Sequence, residues 1–461
     1  MYLLNACPSM CSIEKRLIRY KYFLGFVLLT VLINLYFLYS LPYEASSSVT
    51  NKQDNNDSEV KVAAKVFPAD TQNVMANTSL LAAQRVADVL DSMDAFYNEL
   101  KLSKKYIHNF SLLLTKTNVS YPVDLWSVAA KWVNAEQVVP KYSPLLHNIL
   151  QKLELSKIIA ADILPKGSQL KILLTLEGHQ KALFKPKWYE RNTIIEGTVY
   201  SGKDRHNGEI AAFHLSRLLE LNRAPIVSGR ILNLDTEILP VSTYDLSRTF
   251  YKNGNNTCFY GVCIYCKPDD GVCAKGSFLE GSIALWLPNK WETRRARHPW
   301  QRTYNKNQAM WEMYTEYCDV IKKAKPYKDE RKLLDLVETS VFDFLIDNGD
   351  RHHYEHFSHE RSKVLLIDNA KSFGNPYVDH IDILAPLYQC CRIREKFVSV
   401  LISLKGKLGY WLQKLMESCS LAPILTKDHL NAMDRRLNSV LATIMVCIKS
   451  KSIDEVLVVT D

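Results

Sequence analysis

The sequence predicts an α+β fold of two lobes, a strand-rich one holding one helix and then a mostly helical one, with an extra helical segment and a membrane anchor before them. Three observations predict it. One apolar run near the start follows a basic tail. Strand-length apolar runs flank a turn of hairpin size after residue 165, and one helical pattern follows them. The C-terminal third then returns to helical spacing around one short strand.

The anchor comes first. Residues 1–21 carry Lys15, Arg16, Arg19 and Lys21 against Glu14 and form a cytosolic tail. Tyr22–Tyr39 is apolar except for Gly25, Thr30 and Asn34, near the minimum length that crosses a bilayer as a helix. The basic flank lies before it, so residues 22–40 are expected to be a transmembrane signal anchor with the bulk of the chain in the lumen. A cleaved signal peptide fits less well, because the apolar core is long and Ser40-Leu41-Pro42 is a poor cleavage site. Residues 41–75, rich in Ser, Asn, Asp and Thr, read as a flexible stem. Asn-x-Ser/Thr acceptors at Asn56, Asn77, Asn109, Asn118 and Asn255 are usable only in the secretory pathway. The net charge of +9 is too small to argue for nucleic acid.

Residues 76–160 form the N-terminal helical segment. Its helical spacing runs from Leu80 to about Ile159 and is broken by Pro122, Pro140 and Pro144. Residues 161–287 are expected to be the strand-rich lobe. Leu170–Leu176 and Ala182–Phe184 flank the turn Glu177-Gly178-His179-Gln180, and Asn207 is placed to cap a helix through Glu209–Leu219. A cysteine-studded loop spans 253–277. Residues 288–461 form the helical lobe, with a helix at Leu333–Leu345 and a strand at Val364–Ile367.

The densest polar cluster runs from Asp347 to Glu355, and the strand Val364–Ile367 leads straight into Asp368. Phosphoryl transfer needs a carboxylate near the acceptor hydroxyl and further oxygens for the metal that neutralises the phosphates. Asp350, followed five positions on by Glu355, and Asp368 suit those needs. Upstream, Lys185 after Ala182-Leu183-Phe184 can reach nucleotide phosphates, and Glu209 in the next helix can pair with it. This order of strand lysine, helix glutamate, base and metal aspartate matches a kinase in roles and spacing, without HRD, DFG or a GxGxxG loop.

The strings FYGVCIYC, EGSIALWLP, HPWQRTY, DRHHYE, LLIDNAKSFGNP and ILAPLYQCC resemble the secretory-pathway kinases that include the Golgi casein kinase. DNAKSFGNP, LAPLYQCC and ALWLP resemble the glycosaminoglycan xylosylkinase branch more closely. The likeness covers about 165–450 and implies a divergent, two-lobed, protein-kinase-like fold with its own N-terminal helical segment. It implies a Golgi-membrane enzyme with a lumenal catalytic domain that uses ATP with Mn²⁺ (or Mg²⁺). Its acceptor would be the xylose 2-hydroxyl in the linkage oligosaccharide of proteoglycan core proteins. By this resemblance Asp350 is the catalytic residue and Asp368 and Glu209 hold the metal. Gln169, Lys185, Glu355 and the hinge Ala284, Leu285, Trp286 and Leu287 line the nucleotide site.

Other readings of the same residues exist. His352–His356 also fits H-x-x-E-H, in which one helix turn carries both zinc ligands. Cys263-x-x-Cys266, flanked by Cys258 and Cys273, could hold zinc, but disulfides are the expectation in an oxidising lumen. The resemblance implies pairs 258 with 273 and 263 with 266. The neighbours Cys390 and Cys391 should reach different partners, by resemblance Cys318 and Cys447, which leaves Cys419 unpaired. The basic stretch 290–306 reads as a solvated loop or as a rim attracting anions. Trp286, Trp291, Trp300 and Trp311 read as core more than as sugar platforms. A secretory protein serine kinase and a pseudokinase activator of a related kinase are the competing functions.

Overall fold

A computed structural model of the chain describes residues 77–116, 123–164, 167–305 and 307–460. The anchor, the stem, Asn56 and Asn118 lie outside them. No helix among the described residues is long and apolar enough to cross a membrane.

The N-terminal segment contains helices α1 (Thr78–Ala87), α2 (Met93–Leu100), α3 (Leu125–Trp132) and α4 (Leu146–Leu155). Two glycosylation acceptors are built into it as helix caps. Asn77 accepts the Leu80 amide at the start of α1, and Asn109 accepts the Ser111 amide before a 3-10 turn. Both residues are exposed, as is Asn255 at the tip of a later hairpin.

The helical reading to Ile159 ends too late. Helix α4 stops at Leu155, Ser156 turns extended, and β1 occupies Ile158–Ile163. The β-branched pair Ile158-Ile159 suits that strand. The expected hairpin follows as β2 (Ile172–Leu176) and β3 (Gln180–Pro186). Its turn puts Gly178 at φ 83° and His179 at φ 58°, the left-handed conformation that a glycine enters without strain.

Helix α5 (His206–Leu218) is buried along its whole length. Asn207 does not cap it but lies inside the first turn, where its amide donates to Ile424 O. Arg205 precedes the helix without a side-chain cap, and its own N–H donates to Ala370 O at 2.8 Å. A contact between the lobes therefore fixes the helix start.

Strand β4 (Val227–Asn233) follows, then β5 (Phe250–Asn253), β6 (Asn256–Phe259) and β7 (Val272–Cys273) inside the cysteine loop, and β8 (Phe278–Leu285). The main sheet is antiparallel in the order β1-β2-β3-β8-β4, with α5 packed against β4 and β8. Disulfides Cys258–Cys273 and Cys263–Cys266 lock the β5–β7 excursion.

Beyond the hinge, β9 (Thr293–Arg297) pairs with β10 (His353–Phe357), and β10 with β11 (Val364–Leu365). The basic stretch is thus partly a strand rather than a loop. The remaining lobe is helical: α6 (Arg331–Ile346), α7 (Glu395–Leu404), α8 (Leu408–Met416) and α9 (Lys427–Ser450). Disulfides Cys318–Cys390 and Cys391–Cys447 staple it, and Cys419 is free. Trp300 and Trp311 are buried and Trp291 packs on Phe357, so these three belong to the core. Trp286 is half-exposed at the hinge.

Candidate active site

Three carboxylates from two segments meet on one ammonium. Lys185 sits on β3 opposite Ser282 of β8, with its side chain buried beneath the sheet. Its Nζ lies 2.7 Å from Glu209 Oε1 in the first turn of α5 and 2.6 Å from Asp368 Oδ1 just past β11. Asp204, immediately before α5, is third at 3.1 Å. Burial pushes Lys185 toward the neutral form, but Asp204, Asp368 and Glu209 outweigh it and hold its pKa well above the ordinary lysine value. In return the ammonium keeps the Asp368 carboxyl below the usual carboxylate range.

The strand ends at Leu365, two residues earlier than the sequence suggests, and Asp368 beyond it has a left-handed backbone (φ 60°) that turns the chain toward α5. Asn369 then donates its backbone N–H to Glu209 Oε1 at 3.1 Å, while its side-chain carbonyl accepts from Arg351 at 2.7 Å. Arg351 forks onto Asp343 of α6 at 2.5 and 2.8 Å and donates to Ile367 O at 2.7 Å. One buried guanidinium thereby ties the Asp350 loop to the Asp368 loop and to the helix between the lobes.

Asp350 lies on the open side of that tie. Tyr304 donates its hydroxyl to Asp350 Oδ1 at 2.5 Å, and its ring meets Tyr200 at 4.8 Å. Among the described residues nothing donates to Asp350 Oδ2. His352 Nδ1 lies 2.7 Å from Asp350 O, and its hydrogen bonding to Asp350 raises its pKa. The segment carrying Tyr200 presses against this loop. A Cβ on Gly349 would come within 2.0 Å of Val199, so only glycine fits there.

The nucleotide positions fall on the other side. Ala284 and Leu285 end β8, and the Trp286 N–H donates to Lys181 O at 3.0 Å, which fixes the hinge. Glu355 on β10 faces Arg295 across the strand pair at 3.5 Å, and burial raises its pKa. Gln169 lies on the β1–β2 connection, where Gly167 has φ 108°. That connection is braced by the Cys263–Cys266 turn, whose Ile264 and Tyr265 amides donate to Gly167 O and Ser168 O at 3.3 Å. Because β10 is a strand, His352 and His356 do not share a helix turn, which removes the zinc-peptidase reading. The disulfides likewise remove the zinc knuckle.

Sequence reasoning missed Asp204, Tyr304 and Lys171, a buried lysine that feels Lys185, Asp368, Asp204 and Glu209 electrostatically. Asp204 sits in DRHNGE beside Glu209 and was open to suspicion. Tyr304 closes the string HPWQRTY, which marked the segment but not the role of the tyrosine, and Lys171 carries no local signal.

The carboxylates also fit a hard divalent cation. Among the described residues no three His, Cys, Asp or Glu side chains form a ready cage, because the Lys185 ammonium fills the centre. Yet three carboxylates face one cation. Asp368 is open to the cleft with a side chain 72% exposed, whereas Glu209 is 9% exposed. An oxygen set with excess negative charge and one accessible member suits Mn²⁺ or Mg²⁺, which lean on one or two carboxylates plus substrate phosphates.

Residues 124–456 match the family described as Golgi casein kinase, C-terminal, Fam20. The chain belongs to the Fam20 family. A human relative named glycosaminoglycan xylosylkinase is 50% identical over 337 residues, 72% of this chain and 82% of the relative. Among solved structures, a hydra Fam20 with sugar is 44% identical with a TM-score of 0.72, covering 73% of this chain and 99% of that one. The Golgi casein kinase with Mn/ADP bound is 28% identical with a TM-score of 0.71, covering 90% and 96%. The kinase-like arrangement of mixed sheets and helices is therefore the Fam20 fold.

Proposed function

We propose that this Fam20 chain is a xylosylkinase, moving the γ-phosphoryl group of ATP to the 2-hydroxyl of xylose in the glycosaminoglycan–protein linkage region. The observation that carries the kinase reading is the meeting of Lys185, Glu209 and Asp368 on one side of Arg351 and of Asp350 on the other. The choice of sugar rests on 50% identity to the human xylosylkinase and 44% to the sugar-bound hydra protein.

Lys185 grips the nucleotide phosphates, and Asp368 with Glu209 holds Mn²⁺ or Mg²⁺. That metal supplies charge neutralisation for the phosphates when bound. The hinge Ala284–Leu287 takes the adenine, with Gln169 and Glu355 at the edges of the nucleotide. Asp350, fixed by Tyr304, receives the proton of the acceptor hydroxyl as that oxygen bonds to the γ-phosphorus. The bond from the γ-phosphorus to the β–γ bridging oxygen breaks, and ADP leaves.

The presence of Glu209, Asp350 and Asp368 together argues against a pseudokinase. In the cell, residues 22–40 anchor the protein in the Golgi membrane with the catalytic domain lumenal. The four disulfides support an oxidising compartment. The test is a side-by-side rate comparison with ATP and Mn²⁺ on galactosyl-xylose, its 2-deoxy-xylose analogue and an acidic serine peptide. Phosphate on the disaccharide alone supports the reading. Equal or faster turnover of the peptide moves the protein to the casein kinase branch.

A further inference from the structure

Arg217, near the C-terminal end of α5, is a charge with no counter-charge among the described residues. It is 5% exposed. Its Nη2 donates to Leu113 O at 3.0 Å, and its Nη1 makes a long contact of 3.4 Å with His214 Nδ1. Its Nε is buried without a partner among the described residues. Its guanidinium also sits over the Phe213 ring at 5.8 Å, a weak contribution beside an acid. Buried Arg351 and Arg223 are paired, with Asp343 and Glu338, and buried Arg205, though it bonds only backbone carbonyls, feels the charges of Asp204, Asp347 and Asp350. Burial lowers the Arg217 pKa with no acidic group acting against it. An unpaired buried charge is among the most destabilising features a fold can carry.

Beside it lies a cavity of about 240 Å³ between α5, α4, α8 and the Leu113–Lys116 segment. Its wall is cationic or neutral on three sides. Lys116, His147 and His214 line it with Arg217, and so does Lys414. The one carboxylate in the lining among the described residues, Glu417, is half-exposed and already bonded to Lys414 at 2.8 Å. The volume is below the ~300–1,000 Å³ of small-molecule sites and well above the ~30 Å³ share of one water. It suits a hydrated oxyanion or the end of an ester. Glu209 lies about two helical turns earlier on α5, so this is not the nucleotide site.

We propose that this pocket binds a tetrahedral oxyanion, phosphate or sulfate, through the guanidinium of Arg217. The anion supplies the missing counter-charge and locks α5 against α4 and α8.

The test measures the melting temperature of the purified full-length protein with ADP and Mg²⁺ saturating, so that anion binding at the catalytic lysines does not contribute. Inorganic phosphate, inorganic sulfate and a sulfated disaccharide are each compared with chloride at equal ionic strength. Phosphate or sulfate should raise the melting temperature by about 2–4 °C or more. A disaccharide acting at lower concentration than inorganic sulfate identifies an ester as the source, and equal potency identifies the free ion. Arg217→Met should abolish the rise while melting no lower in chloride, because it deletes an unpaired buried charge. Lys116→Glu, an exposed change that leaves the core intact, should raise the half-maximal anion concentration about two- to fivefold. An anion response no different from chloride, or one unchanged in both variants, overturns the proposal.

Discussion

Among the described residues the hydroxyl of Tyr304 is the one donor within 3 Å of the Asp350 carboxylate, and removing it isolates what carboxylate positioning contributes. Tyr304→Phe deletes a single oxygen from a ring that is 43% exposed, so the fold should hold and the melting temperature should stay within about 1 °C. The lost bond is short (2.5 Å) and charge-assisted, a class with a net contribution of about 1.5–3 kcal/mol. Partial exposure of both partners puts this one at the lower end. About 1.4 kcal/mol is tenfold in rate, so kcat should fall roughly tenfold. Tyr304 holds Oδ1 and leaves Oδ2 for the acceptor hydroxyl, which is why the loss belongs in kcat. The KM for ATP should not change, because the Lys185 cluster lies on the far side of Arg351. Tyr304→Ala also removes the ring contact with Tyr200 and should in addition raise the KM for the sugar. Initial rates at varied ATP and varied galactosyl-xylose separate these terms. A Tyr304→Phe enzyme with wild-type or higher kcat would refute the reasoning, and a higher value would make the tyrosine a blocker of the base.

Asp350→Ala should lose about two or more orders of magnitude in turnover while still binding ATP by calorimetry. Asp368→Asn should instead weaken metal-dependent nucleotide binding in the same experiment. Non-reducing peptide mapping should recover all four disulfides and elemental analysis should find no stoichiometric zinc; mild reduction should lower the melting point, since loops of 72 and 56 residues each contribute about 4 kcal/mol when closed. His380 is pushed down by burial but raised overall by its bond to Asp347, so its stabilisation is complete below the ordinary value of 6.5 and fades as pH rises through the raised one. The melting-point gap between wild type and His380→Gln should accordingly be widest near pH 6 and shrink by pH 9.

What the sequence made legible was what lies close in the chain. Gly178 between two apolar runs marked the β2–β3 turn, and the runs around Lys185, Glu209, Asp350 and Asp368 each carried a local pattern. What it hid was settled by pairing at a distance. Strand β9 reads Thr-Arg-Arg-Ala-Arg, a composition with little strand preference, and exists because β10 supplies its hydrogen bonds. Strand β1 hides because Ile158 and Ile159 continue the apolar spacing of α4. Asn207 looked like a cap because Asn before an apolar period usually is one; here the Arg205 contacts to Ala370 and Ser372 decide the helix start. The string HPWQRTY marked the segment of Tyr304 but not its role, since its left-handed backbone and its reach to Asp350 follow from how the 298–305 segment folds back over the helical lobe.

The cluster on Lys185 carries an electrostatic consequence of its own. A lone lysine–glutamate pair between strand and helix is neutral and needs nothing further. Here Asp204 and Asp368 join the same ammonium and Lys171 acts on all of them, so three carboxylates face two lysines with one negative charge in excess, and the side chains of Lys185, Asp204 and Glu209 are all under 10% exposed. Coulomb attraction between unit charges ~4 Å apart is about 4 kcal/mol at an effective dielectric of 20, enough that the arrangement favours any further cation that can reach it. Only Asp368 is open to the cleft, so a cation must arrive along that side, where the nucleotide phosphates would also lie. Free nucleotide brings negative charge to a negative floor and is repelled; a metal–nucleotide complex brings its positive charge with it. On the proposed reading, the charge of buried Asp204 therefore favours the metal-bound form of the phosphate donor.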